Sequence, residues 1–261
     1  MRCWKPHVAR CKSFRPVRFE RLRTPDEVAS WVADRITRVV SNGALVIGVA
    51  TGNSPLLLYN MLIERQQSRL VDLSHCQLVL LDEYVGLEPD DPRSFQSTIM
   101  RQFAKPLGIA AENVHCPHVF ADDLVAACRD FDSTIEALGG VDVQILGIGR
   151  NGHIAFNEPG TSWDLGTHTA HLSEITRHDN ASSFESSSGV PRQALTQGIR
   201  TILRAEELIM IATGERKSAA VGRLRTAQPT TDFPASALWT HQHATVVTDD
   251  SALQATPSRS R

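Results

Sequence analysis

No stretch of this chain approaches the roughly 20 consecutive apolar residues that cross a bilayer, and the N-terminus lacks the apolar middle section of a secretory signal. The membrane and secretory readings fall away. Cysteine is sparse and unpatterned: Cys3, Cys11, Cys76, Cys116 and Cys128 make an odd number, 5, with no C-x-x-C pair. That argues against a disulfide framework or a zinc site, and a reduced cytoplasmic setting fits. An excess of one charge is missing too, since 27 Lys and Arg against 29 Asp and Glu leave a formal net charge of -2. No general field therefore draws nucleic acid to the surface. The chain has neither the G-x-G-x-x-G of a dinucleotide fold nor the Gly-Lys-Ser/Thr of a P-loop, so neither NAD nor a nucleoside triphosphate is implied. No internal repeat or low-complexity linker marks a second domain.

What is present is enough chain for one large core: 261 residues, 41% hydrophobic and 21% charged. Residues 1–23 stand apart, with eight Lys and Arg (Arg2, Lys5, Arg10, Lys12, Arg15, Arg18, Arg21, Arg23) against the single acid Glu20. Such a start resembles a transit peptide or a nucleic-acid arm, but an unstructured leader is the plainer expectation. Residues 251–261 are expected to form a disordered tail. Between them, residues 24–250 alternate strand and helix signals. Thr24-Pro25-Asp26-Glu27 opens a helix, and Ala44-Leu45-Val46-Ile47-Gly48-Val49-Ala50 reads as a buried strand. Ser54-Pro55 opens a second helix, and Gln77-Leu78-Val79-Leu80-Leu81 and Val141-Asp142-Val143-Gln144-Ile145-Leu146 read as further strands. Helices are expected over 95–103, 122–138 and 215–225, with late strands at 208–212 and 244–247. This βαβα order predicts a single-domain α/β fold: a mostly parallel sheet with helices on both faces, a Rossmann-like three-layer architecture. Ligands then belong in a cleft at the strand carboxyl ends.

Three loops should meet in that cleft. Thr51-Gly52-Asn53-Ser54-Pro55 puts a glycine and two hydroxyls at a helix N-terminus, where free amides and the helix dipole bind an anion. An ordinary capped helix start accounts for the same residues. Leu81-Asp82-Glu83-Tyr84-Val85-Gly86-Leu87 ends a buried strand on two adjacent carboxylates. One of them should face the cleft, and partial desolvation would make it a general base for a proton next to a carbonyl. Helix capping or a surface turn is the plainer alternative, and no partners at suitable spacing imply a metal. The third loop is Gly147-Ile148-Gly149-Arg150-Asn151-Gly152-His153-Ile154-Ala155-Phe156-Asn157-Glu158-Pro159. There His153 and Glu158 lie five residues apart, and a carboxylate-oriented histidine can shuttle a proton to a sugar oxygen. A structural histidine remains open on spacing alone.

Together these motifs resemble the glucosamine-6-phosphate deaminase (isomerase) family, with support from Val190-Pro191-Arg192-Gln193-Ala194-Leu195-Thr196-Gln197-Gly198 and Gly214-Glu215-Arg216-Lys217-Ser218-Ala219. The resemblance covers about residues 24 to 250. It implies a cofactor-free aldose to ketose isomerisation coupled to loss of ammonia, from an amino-sugar 6-phosphate and water. In that scheme His153, supported by Glu158 and Asn151, opens the sugar ring, and Asp82 moves the C2 proton to C1. Thr51, Gly52, Asn53, Ser54 and Lys217 hold the phosphate. The expected partner is the small sugar phosphate, with no nucleic acid or membrane; homo-oligomer formation is left open.

Two departures qualify the resemblance. The position of Asn151 carries either aspartate or asparagine in the family, and an amide cannot act as a base. At Ser182 the family usually places an arginine on the substrate phosphate, and a hydroxyl supplies neither its charge nor its fork. Arg177, or Arg200, is the candidate to compensate. Residues 161–171 lack the paired basic residues that allosteric members use, the matching positions being His168 and Ala170, so no activation by an acetylated sugar phosphate is expected. A 6-phosphogluconolactonase-type hydrolase is the enzymatic rival, but Asp82-Glu83-Tyr84 and Phe156-Asn157-Glu158-Pro159 favour the deaminase. A sugar-phosphate sensor is the rival of another class; it would carry a helix-turn-helix segment and lose the acids that this chain retains.

Overall fold

The structure is a computed structural model that describes residues 17–181, 184 and 186–253. Its centre is a seven-stranded sheet in which every pairing is parallel, ordered β1 (Arg18–Arg21), β10 (Ala244–Thr248), β9 (Glu207–Ala212), β6 (Val143–Leu146), β2 (Val46–Val49), β3 (Gln77–Leu80) and β5 (Val114–His115). Every residue of β2, β6 and β10 is buried. Burial without alternation means that both faces are covered, as a parallel sheet requires, and the architecture is the expected three-layer α/β fold. Among the described residues no helix is long and apolar enough to cross a membrane.

The first covering helix, α1 (Pro25–Ser41), starts where its sequence says it should. Thr24 caps it by accepting from the Glu27 amide, and Pro25 occupies the first turn, where a missing N–H costs nothing. Its Val28, Ala29, Val32, Ala33 and Ile36 are buried, a helical stripe pressed into the core. The second helix, α2 (Asn53–Gln67), packs beside it.

Strand order reverses between β2 and β6. From β2 the chain moves outward through β3 to β5; from β6 it moves the other way through β9 and β10. The carboxyl ends of β2 and β6 therefore diverge into the crevice where open α/β sheets bind ligands. Those ends release the Thr51 loop and the Gly147 loop.

A second sheet lies outside the sequence expectations. It is antiparallel and joins β4 (Asp82–Tyr84), β8 (Gln193–Thr196) and β7 (His168–His171). Both expected chain boundaries also move. Residues 18–21, assigned to the basic extension, form β1 against β10, because Phe19 and the backbone cover a sheet edge while the arginines face out. Residues 251–253, assigned to the tail, belong to α9 (Asp250–Leu253), capped by Asp249. The remaining extension and tail residues lie outside the described ones. The helix expected over 95–103 is interrupted: α3 (Phe95–Ile99) passes through a π turn (Met100–Ala104) into α4 (Lys105–Leu107). That over 122–138 is α5 (Leu124–Ala137). The helix expected over 215–225 opens as a 3-10 turn (Glu215–Lys217) before α8 (Ser218–Thr226).

Candidate active site

The two adjacent carboxylates at the end of β3 separate into two roles. Glu83 is sunk in protein and fully occupied, accepting from its neighbour Tyr84 N at 2.8 Å, Ser94 Oγ at 2.8 Å, Phe95 N at 3.1 Å and Gln96 N at 2.8 Å. It braces the N-terminus of α3 and has no lone pair to spare for chemistry. Asp82 is left with only 8% of its surface exposed. Burial, with the Glu83 charge adding to it, raises its pKa to about 8, and among the described residues no hydrogen-bond donor offsets the rise. A carboxylate in that state is a far stronger base than one in water.

The histidine loop is shaped by close approaches. A side chain on Gly149 would fall 2.2 to 2.5 Å from ring atoms of His153, so the imidazole lies directly on the Gly149 backbone. Gly152 adopts a φ of +89° and its missing Cβ would strike the ring of Phe233. Only glycine fits either position.

On this scaffold Glu158, Asn151 and His153 form a directed chain. The Glu158 carboxylate accepts from Ser173 Oγ at 3.0 Å and from Thr176 Oγ1 on one oxygen, and from Asn151 Nδ2 at 2.7 Å on the other. Because the carboxylate only accepts, the Asn151 amide turns its NH2 toward Glu158 and its oxygen toward His153. That oxygen lies 2.8 Å from His153 Nδ1 and 3.1 Å from the His153 amide. Nδ1 therefore carries the hydrogen, and Nε2 of the neutral ring keeps its lone pair. Burial holds the His153 pKa below its ordinary value, Glu158 pulling it up and Lys217 pushing it down. The ring is a neutral base at physiological pH.

The third corner is the Thr51 loop at the start of α2. Gly52, at a φ of +114°, precedes α2 without supplying any side-chain cap, and Asn53 begins the helix. Ser54 Oγ lies 3.2 Å from Thr213 Oγ1, which joins this loop to the end of β9. The following turn is fixed by Asp249, which accepts from Gly214 N at 3.0 Å, and presents Lys217. Lys217 Nζ donates one of its three N–H groups to Ile148 O at 2.7 Å. Burial lowers its pKa. Thr51 is half-buried beside Gly52.

Two ties lock these corners together. Lys217 bonds the histidine loop to the turn that follows β9. Thr196 and Gln197, at the end of β8, bond the histidine loop to Asp82: Thr196 pairs with Asp82 and accepts from Phe156 N at 3.1 Å. Gln197 donates its amide to Leu81 O at 2.7 Å and its side chain to Leu80 O at 2.8 Å, and its carbonyl accepts from Asn157 Nδ2 at 2.8 Å. Ser173, Thr176, Thr196, Gln197 and Asn157 carry no individual role in the sequence analysis, although Thr196, Gln197 and Asn157 lie in motifs quoted there. The signal at each is a hydroxyl or an amide in a turn or at a strand end, which any surface turn also shows.

Not every candidate joins the site. Arg177 spends its guanidinium on the carbonyls of Val190, at 3.2 Å, and Ser188, at 3.3 Å, so it pins the 188–190 turn. Arg200 lies against Gly166 beside the Asp132 carboxylate. Ser182 lies outside the described residues. A groove of about 840 Å³ lined by Trp31, Arg35, Asp142 and Glu207 opens at the opposite, entering ends of the strands. Its size does not coincide with the chemistry, which sits at the carboxyl ends.

Comparison with known proteins gives consistent findings. The family model described as glucosamine-6-phosphate isomerases/6-phosphogluconolactonase matches residues 22–248. A glucosamine-6-phosphate deaminase of Geobacillus sp. (strain WCH70) is 40% identical over 237 residues, covering 90% of this chain and 94% of the relative. That of Corynebacterium kroppenstedtii is 44% identical over 230 residues, covering 88% and 89%. Among solved structures, a monomeric glucosamine-6-phosphate deaminase superposes with a TM-score of 0.89 at 38% identity, covering 91% of this chain and 100% of the other. A 6-phosphogluconolactonase from Trypanosoma cruzi superposes with a TM-score of 0.72 at 19% identity, covering 92% and 97%; this second likeness speaks to the fold alone.

Proposed function

The chain belongs to the glucosamine-6-phosphate isomerase/6-phosphogluconolactonase family, and from that premise we propose that it is a glucosamine-6-phosphate deaminase, converting glucosamine 6-phosphate and water to fructose 6-phosphate and ammonia. The observation that carries the reading is the combination of a buried carboxylate at Asp82, without a hydrogen-bond donor among the described residues, and a neutral histidine whose tautomer is set by Asn151. Relatives about 40% identical bear the deaminase name, whereas the lactonase likeness is confined to the fold.

His153 Nε2 takes the proton of the anomeric hydroxyl and returns one to the ring oxygen, opening the pyranose. The Glu158 charge, passed through Asn151, stabilises the imidazolium that forms in between. Asp82 then removes the C2 proton of the open aldehyde, giving an enolamine, and delivers a proton to C1. This leaves a C2 imine; water adds there, and the tetrahedral carbon collapses to the ketone as ammonia leaves. Oxygen charge is borne by fixed dipoles rather than by a metal in this scheme. The residues of the Thr51 loop and Lys217 hold the phosphate, and that remote binding fixes C2 against Asp82. The hydrolytic loss of nitrogen is what makes the enzyme a hydrolase as well as an isomerase. Its substrate is a charged sugar phosphate that membranes retain, which supports a cytoplasmic setting.

The test is direct. Purified protein incubated with glucosamine 6-phosphate should release ammonia and fructose 6-phosphate in equal amounts, and an Asp82→Asn variant should release neither at a comparable rate.

A further inference from the structure

We propose that Arg150 is a second phosphate-binding cation of this site, exchanging its carboxylate partner Asp179 for the phosphate of the bound sugar. The proposal rests on the assignment of residues 51–54 and Lys217 as the phosphate pocket. A phosphate monoester carries close to two negative charges at neutral pH, and Lys217 alone does not balance them. Lys217 has already committed one N–H to Ile148 O, and burial disfavours its charge.

Arg150 leaves the same loop two residues after Ile148. Its guanidinium and the Asp179 carboxylate both act electrostatically on the Lys217 ammonium, Asp179 favouring its charge and Arg150 opposing it. The two side chains meet as a two-bond fork, Nε to Oδ2 at 2.8 Å with Nη2 on Oδ1. They are 51% and 32% exposed, and an ion pair so open to water is weakly held. A phosphate offers the same fork geometry with more charge. Asp179 thus holds the guanidinium in a binding-ready pose until the dianion displaces it.

Neighbouring arginines do not take this part. Arg177 is anchored on the Val190 and Ser188 carbonyls and Arg200 lies beside Asp132. Arg216 shares the Glu215–Lys217 turn, but it is not among the charges acting on Lys217.

Steady-state ammonia release, with inorganic phosphate as competitive inhibitor, separates this role from a structural ion pair. Arg150→Ala should raise both the KM for glucosamine 6-phosphate and the Ki of inorganic phosphate about 10- to 100-fold, with kcat little changed. Asp179→Asn, which frees the guanidinium but also removes a charge that supports Lys217, should cost binding far less than Arg150→Ala, and Arg216→Ala should alter neither constant by a comparable factor. A purely structural pair predicts equal losses on removing either partner. The proposal is overturned by an Arg150→Ala variant with unchanged KM and Ki, or by an Asp179→Asn variant with an equal loss. Wild-type protein that releases no ammonia at all would instead remove the deaminase reading beneath it.

Discussion

The carbonyl oxygen of Asn151 stands 2.8 Å from Nδ1 of His153, and this contact determines which ring nitrogen carries the hydrogen. It works because the other end of the same amide is committed to Glu158. In the proposed mechanism an asparagine at this position does no proton chemistry and still controls it, by passing orientation from a carboxylate to an imidazole. Replacing it with Leu, similar in size but without hydrogen bonds, should lower kcat by about 100-fold while leaving KM nearly unchanged. Asn151→Asp should stay active, and a negative charge beside the ring favours imidazolium and raises the His153 pKa. An NMR titration of the His153 imidazole reads this directly, and a midpoint that does not move would show that residue 151 does not set the state of His153.

Asp82 carries a signed prediction for stability. Its folded pKa of about 8 lies above the unfolded value near 3.8, so between those pH values the folded state binds the extra proton. Stability therefore falls as pH rises through this window, and what is lost is the cost of charging a buried carboxylate. Asp82→Asn, which removes that charge, should melt roughly 5 °C above wild type at pH 8, with the gap closing by pH 4. Equal melting temperatures at pH 8 would mean that Asp82 ionises freely.

For the wild-type enzyme the same shift predicts a kcat/KM that climbs with pH toward 8, because the base acts only when deprotonated. A flat profile from pH 6 to pH 8 would contradict a desolvated base.

Gly149 is a steric prediction. Its φ is not in the left-handed region, so Ala is tolerated by the backbone; the obstacle is the imidazole 2.2 to 2.5 Å from the new methyl carbon. Gly149→Ala should displace His153 and cut kcat by at least about tenfold while the circular dichroism spectrum stays that of wild type. Full activity would mean that the ring position is not critical.

Much of the architecture was legible because it is written locally. The buried strands over 44–50, 77–81 and 141–146 are continuous apolar runs, and the Thr24-Pro25 cap marks a helix start without reference to the rest of the chain. The antiparallel sheet was not legible. Its β4 is Asp82-Glu83-Tyr84, three residues without alternation, and its partner Thr196 lies more than 100 positions away. β1 was hidden in an arginine-rich stretch for the same reason: an edge strand exposes its charges. At the site, the acids and the histidine could be named in sequence, but Glu83 and Asp82 were indistinguishable until the α3 amides claimed one of them. The hydroxyls of Ser173 and Thr176 reach Glu158 across 15 and 18 residues, a relationship that no spacing rule contains.

Thr196 tests the tie between the histidine loop and Asp82. Its fully buried Oγ1 accepts the Phe156 amide, and Thr196→Val keeps the shape while leaving that N–H unsatisfied. The variant should lose about 1 to 3 kcal/mol in urea unfolding, along with part of its kcat. A loss of activity without any loss of stability would place Thr196 on the substrate instead.

The most direct measurement compares ammonia release from glucosamine 6-phosphate, galactosamine 6-phosphate and 6-phosphogluconolactone, the last followed by acid release, for wild type and Asp82→Asn. The account predicts stoichiometric ammonia and fructose 6-phosphate from glucosamine 6-phosphate, no turnover of the lactone, and loss of ammonia release in Asp82→Asn. Lactone hydrolysis without ammonia from either amino sugar, or an Asp82→Asn enzyme as fast as wild type, would contradict it.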